Sequence, residues 1–160
     1  MSYALLIPYL ALLLMIAYQD YKDRLVWWFL FVAAGIIGAC TLYSQAASRE
    51  IFLVQIGMNT VVIGCILLVL FLVYRVILKK PLINSAIGLG DLLLFLVLMV
   101  GYPPLSFIIL LATGLLFALL VSIFMKSQIG QYIPLAGLLS TYLIIVHLVL
   151  LGTDINIYQL

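Results

Sequence analysis

The sequence predicts an all-α, polytopic membrane bundle of six helices, and three observations carry that prediction. The 160-residue chain is 68% hydrophobic and only 8% charged, with a mean hydropathy of +1.41. Soluble domains are roughly half apolar and about a quarter charged, so lipid must be the solvent for most of this surface. The apolar residues fall into blocks, and a bilayer core about 30 Å thick takes about 20 apolar helical residues to cross. The charged residues gather between those blocks. The length suits one domain over 1–160. A net charge of +2 without a basic tract gives no reason to expect a nucleic-acid partner.

On the bilayer ruler the helices are expected at 3–20, 25–43, 51–78, 91–102, 104–125 and 131–151. The first block, "MSYALLIPYLALLLMIAYQD", has no basic N-terminal segment and runs too long for a cleaved signal peptide, so it reads as a span. The second follows the charged turn "DYKDR", and the third follows "SQAASRE". The fourth is short: Asp91 to Tyr102 reaches roughly 18 Å at 1.5 Å per residue. It spans only if the preceding "INSAIGLG" already dips into the membrane, where non-helical backbone is tolerated in protein or beside water. That places Asp91 below the surface in a wet notch. "YPP" separates the fourth block from the fifth, and "KSQIGQ" separates the fifth from the sixth.

Basic residues mark the cytoplasmic side. If the first helix ends inside, the inner loops hold Lys22, Arg24, Arg75, Lys79, Lys80 and Lys126, and the outer side holds only Arg49. Six of the seven basic residues on one side predict an N-out, C-out arrangement. Asp20 then ends the first helix, and Asp91 starts the fourth, at one depth on the cytoplasmic face.

An ionisable group sunk in a span is costly and points to function; two at one level point to a pair. Like charges held close cannot both ionise, so such a pair shares a proton. One ionised and one protonated carboxyl can activate water and polarise a peptide carbonyl. Gly88 and Gly90, in "GLGD", lack a Cβ, accept positive φ and permit close backbone approach. They would allow a sharp start to the fourth helix and an extended substrate strand beside Asp91. A proton relay or small transporter using Asp20 and Asp91 is the alternative. It would favour ionisable groups through the membrane depth, whereas the helix middles are almost bare.

These residues resemble a family. "DYKDRLV" after an apolar helix looks like the first aspartate motif of type IV prepilin peptidases. "GLGD" is similar to their second motif, GxGD, shared with presenilin-type intramembrane aspartyl proteases. "QYIPLAGLLS", residues 131 to 140, resembles the stretch that opens the family's last helix. The resemblance implies an aspartic endopeptidase of the bacterial inner membrane that removes the leader of prepilin-like proteins at the cytoplasmic face. Carried over, Asp20 and Asp91 are catalytic, and Gly88 and Gly90 are the motif glycines. No metal and no cofactor are implied; the partners are the prepilin-like substrate and the lipid bilayer.

The chain also departs from the family. Trp27 and Trp28 stand where the family has proline and a polar residue, and Leu93 stands where a lysine is common. The cysteine pairs of the larger, methylating members are missing: Cys40 and Cys65 lie alone in apolar stretches and read as core residues. The likeness is therefore to the short, peptidase-only branch, similar to tight-adherence pilus peptidases.

Asp23 is the rival of Asp20, but it sits in the charged cluster "YKDR" as balanced charge. His147, the only histidine, falls near the outer side, away from the aspartates, and is expected to be a hydrogen-bonded bundle residue. Asn59 and Thr60 are expected to bond between helices. Trp27 and Trp28 are expected to anchor the interface or to line the path of a substrate.

Overall fold

The computed structural model describes residues 3–77, 79, 88–124, 134–153 and 157–158. The regular structure among them is helical throughout: α1 (Tyr3–Lys22), α2 (Trp28–Gln45), α3 (Arg49–Leu72), α4 (Leu89–Gly101), α5 (Pro104–Phe124) and α6 (Leu135–Leu151), with a π-helical turn, Val73–Ile77, continuing α3. Three stretches, Trp28–Gln45, Arg49–Arg75 and Pro104–Phe124, are long and apolar enough to cross a membrane. Leu89–Gly101 and Leu135–Leu151 are shorter apolar helices. Several expected features fall outside the described residues: positions 78, 125 and 131–133 of the expected helices, the 83–87 stretch, Lys80 and Lys126.

Local chemistry explains where the helix ends differ from expectation. α1 runs two residues further, to Lys22, and ends where Arg24 takes the left-handed conformation at φ 53°. α2 begins at Trp28 rather than 25, because Trp27 is extended and its N–H donates to the Gln19 side chain at 3.0 Å. α3 begins at Arg49, where the Ser48 hydroxyl accepts the Ile51 N–H at 3.2 Å. That bond is the usual service of an N-cap serine. α4 starts two residues early, at Leu89, so Asp91 lies inside its first turn.

α4 forms the middle of the bundle. It is apolar all round, as a buried helix must be, and Leu94, Val97 and Leu98 are fully enclosed. Its broadest contact is with α2, and α1 pairs most broadly with α6. α1 touches α2, and α4 touches α6 more sparsely, so α1, α2, α4 and α6 close a ring around the shared core. α3 and α5 lie against this ring with much of their apolar surface exposed, including Met58, Val61, Leu116 and Leu119.

The α2–α4 contact depends on two glycines. A Cβ built on Gly38 would stand 3.0 Å from the Gly101 Cα, backbone that cannot swing aside. Gly57, in α3, has nothing within 4 Å of its missing Cβ. Gly38→Ala should therefore lower thermal stability in detergent, with an overpacking cost of about 1–3 kcal/mol. Gly57→Ala should not, since alanine is favoured in helices by about 1 kcal/mol. Equal effects of the two changes would show that the close crossing does not govern packing.

Candidate functional site

Asp20 and Asp91 arrive from different helices at a third. Asp20 is in the last turn of α1 and half-buried. Its Oδ2 accepts the Gly137 backbone N–H at 2.6 Å. Asp91 is in the first turn of α4, also half-buried. Its Oδ2 accepts the Gly88 N–H at 3.1 Å, and its carboxylate also accepts the backbone N–H of Ala136. Consecutive amides of the first turn of α6 thus hold the two carboxylates, one each. The two groups are close enough for their charges to interact.

The physics of helix ends explains the arrangement. The first N–H groups of a helix have no partner within it, and aligned peptide dipoles place partial positive charge there. Ala136 and Gly137 are two such donors, one and two residues beyond the start of α6 at Leu135. Gly137 is needed for contact: a Cβ on it would lie 3.1 Å from Asp20 Oδ2 and 3.3 Å from Asp20 Cβ. The Tyr21 ring closes over the same glycine, and its hydroxyl bonds to the Thr141 hydroxyl at 3.1 Å. Arg24 lies near enough to attract Asp20.

Gly88 and Gly90 act differently from the expectation of positive φ. Gly88 is extended at φ −74°, ψ 154°, and Gly90 is inside α4. Gly88 offers its N–H to Asp91, and a Cβ there would stand 3.3 Å from Asp91 Oδ2. Gly90 faces Phe31 and Ala136, and its missing Cβ would meet them at ordinary contact distances of 3.8 and 4.0 Å. Gly88 thus offers its N–H to the aspartate, and Gly90 faces α2 and α6 with room for a Cβ.

Asp23 is exposed, on the rim of a groove between α1 and α6 that also carries Gln19, Tyr21 and Trp27. The groove encloses about 750 Å³ and is otherwise apolar, walled by residues such as Leu14 and Ile145. Trp28 is exposed at the start of α2, and Leu93 is partly buried against the hydrophobic core.

His147 sits elsewhere, in a buried chain of hydrogen bonds. Its Nδ1 bonds to the Leu143 carbonyl at 2.8 Å, and its Nε2 to the Tyr102 hydroxyl at 3.2 Å. The Tyr102 hydroxyl also meets that of Tyr9 at 3.2 Å. Asn59 bonds between helices as expected, donating to the carbonyls of Met99 and Tyr102 at 2.8 and 2.9 Å. Thr60 bonds within its own helix to Ile56 and reaches the Met99 sulfur at 3.3 Å. Cys40 and Cys65 are exposed, not core residues: they sit on outward faces of helices α2 and α3. Among the described residues no three His, Cys, Asp or Glu side chains gather to hold a metal ion.

The sequence alone does not assign the part played by α6. Its only signals are the resemblance of "IPLAGLL" to the family's last-helix stretch and a glycine in a first helical turn, where glycine is a poor helix former. No family model, curated protein or solved structure matches the chain, so the likeness to prepilin peptidases rests on its short motifs.

Proposed function

We propose that this chain is an aspartic endopeptidase of the bacterial inner membrane that removes the leader from prepilin-like proteins. The observation that carries the reading is the delivery of Asp20 and Asp91, from two helices, to the adjacent Ala136 and Gly137 amides of a third. The six helices would cross the membrane N-out and C-out, with both aspartates at the cytoplasmic face. This orientation follows from the six-to-one division of basic residues. Reporter fusions at residues 48 and 128 should then mark opposite sides of the membrane; a signal on one side for both would overturn the topology.

The chemistry needs one ionised and one protonated carboxyl. The ionised group takes a proton from water as the water oxygen attacks the peptide carbonyl carbon. The protonated group gives its proton to the carbonyl oxygen, leaving a neutral tetrahedral diol. Breaking the C–N bond returns a diol proton to one carboxylate, while the other carboxyl protonates the departing amine. The pair ends with the single proton it began with. Bonds from Gly137, Ala136 and Gly88 hold both carboxyls in place through the cycle, and such fixed placement is a large share of what an active site supplies. The α1–α6 groove suits the apolar helix of such a substrate. Its polar end, with Gln19 and Asp23, is level with Asp20, where a basic leader would meet the Asp23 charge.

A proton relay gains one feature from the buried Tyr9–Tyr102–His147 chain, but loses continuity. Between that chain and the aspartates lie the enclosed side chains of Leu13, Ile16, Leu94, Leu98, Leu139 and Leu143. Ser140 is the buried polar side chain in this layer among the described residues, and its hydroxyl has no hydrogen-bond partner. Among the described side chains no hydrogen-bonded path connects the two across such packing. Co-expression with candidate prepilin-like proteins tests the reading directly: loss of leader mass is expected, and intact substrate throughout would favour the relay.

A further inference from the structure

The two aspartates are carried by helices whose backbones stand apart: among the described residues no Cα of α1 comes within 8 Å of one in α4. Their relative height must be set through other contacts. The α6 amides supply one link, at the level of the carboxylates. The Tyr9–Tyr102–His147 chain supplies a second, and it joins the same three helices, α1, α4 and α6.

The spacing of the two links is common to all three helices. Tyr9 precedes Asp20, Tyr102 follows Asp91 and His147 follows Ala136, each by eleven positions. Eleven residues are about three helical turns, or about 16.5 Å, and return to nearly the same face. The directions agree as well, since α1 runs towards the carboxylate level while α4 and α6 run away from it. The upper link therefore lies about three turns from the lower one along the same three helices, and it joins α1 directly to Tyr102 at the end of α4, a pairing the α6 amides do not make.

We propose that Tyr9, Tyr102 and His147 are positioning residues, a buried hydrogen-bonded clamp that sets the axial register of α4 against α1 and α6 and so the placement of Asp91 beside Asp20. The protonation pattern is determined by the partners. The Leu143 carbonyl only accepts, so His147 Nδ1 carries the proton and Nε2 accepts from the Tyr102 hydroxyl. The Tyr102 oxygen then accepts from Tyr9. Every donor in the chain points one way, and each hydroxyl is used. Tyr9, Tyr102 and His147 are all enclosed, so a slip of one helix by a turn would strand buried polar groups, each costly to leave unpaired. Fixing register is the best attested use of a buried polar group. Apolar contacts between leucines at neighbouring turns tolerate such a slip far better. Asn59 steadies the clamp by holding the Tyr102 carbonyl, and Tyr158 stacks on the Tyr102 ring at 5.8 Å.

The clamp's relevance to catalysis rests on the endopeptidase reading, but its geometry is tested without substrate. In a Cys40→Ala, Cys65→Ala background, Gly90→Cys with Ala136→Cys reports the α4–α6 register, since the two Cβ positions are 4.0 Å apart. Asp20→Cys with Gly137→Cys reports α1–α6, at 3.3 Å. Both are close to disulfide geometry. Copper-phenanthroline oxidation of membranes, followed by maleimide-polymer labelling, reads the rate of each disulfide. Adding Tyr102→Phe should slow the 90–136 disulfide about tenfold, roughly the worth of one buried hydrogen bond. The 20–137 disulfide should keep its rate within about twofold, because the broad α1–α6 contact holds its own register. His147→Gln, which keeps an acceptor for Tyr102, should restore most of the 90–136 rate relative to His147→Leu. Leu110→Ala, a core cavity in α5, controls for lost stability and should leave both rates alone. The proposal fails if Tyr102→Phe leaves the 90–136 rate unchanged, or if Leu110→Ala slows it equally. If Tyr102→Phe does not accumulate, Tyr9→Phe and the two His147 variants decide the same point. A failed cleavage assay alongside a slowed disulfide would overturn the endopeptidase reading and leave the clamp standing.

Discussion

Asp20→Asn and Asp91→Asn should each remove cleavage of a prepilin-like substrate, while Asp23→Asn should change its rate only a few-fold. Asparagine keeps the outline of aspartate but can neither take a proton from water nor pass one on. Losing general acid–base chemistry costs about 10²–10⁴-fold, and a pair that works as a unit should lose at least that. Asparagine at 20 can still accept the Gly137 N–H at its amide oxygen, so the bundle should persist and the loss should be chemical. Asp23 is exposed, while the α6 amides bond to Asp20 and Asp91; its removal takes away a solvated charge of small energetic weight. Cleavage is measured for the three variants at equal membrane levels. The wild-type profile against pH should be bell-shaped, with limbs that belong to the pair and to neither residue alone. An active Asp20→Asn and a dead Asp23→Asn would move the first motif by one helical turn.

The helices were legible because lipid demands unbroken apolar runs, and each expected span has its helix among the described residues. The ends were less so, because single side-chain bonds decided them. Gln19 reaches eight residues forward to Trp27, and Ser48 captures Ile51; neither follows from hydropathy. Asp91 was legible as charge misplaced among leucines, and Asp20 as a carboxylate ending the first apolar block at the depth expected for Asp91. Ala136 and Gly137 were not, since their contribution is backbone N–H, which every residue but proline carries. What distinguishes them is only position at a helix start. The eleven-residue offset was equally hidden. His147 is expected from the sequence only as a hydrogen-bonded bundle residue, and nothing in the sequence singles out Tyr9 or Tyr102 as its partners until the helix axes bring the three to one level.

Gly137→Ala should cost activity out of proportion to its size. The added Cβ would be placed 3.1 Å from the Oδ2 and 3.3 Å from the Cβ of Asp20, with Tyr21 Cε1 at 3.4 Å. All three neighbours belong to one short segment of α1, whose broad packing on α6 prevents it from backing away as a body. The carboxyl must instead turn off the Gly137 N–H, losing a bond at 2.6 Å and its alignment with Asp91. Misplacing a reacting group by about 1 Å costs about 10²-fold, and that is the loss expected here. Stability should move little, because alanine is favoured over glycine in a helix by about 1 kcal/mol, which offsets much of the crowding. Gly35→Ala is the matched control: its Cβ would find Val100 and Val97 at 3.7 and 3.9 Å, ordinary contact within the α2–α4 seam. It should leave cleavage within about twofold, as a well-tolerated change away from any special feature does. The two variants are compared by cleavage rate and thermal stability in the same detergent. Were Gly137→Ala as active as Gly35→Ala, the Asp20–Gly137 bond would be no part of the working geometry, and the carboxyls would have to meet the substrate from another pose.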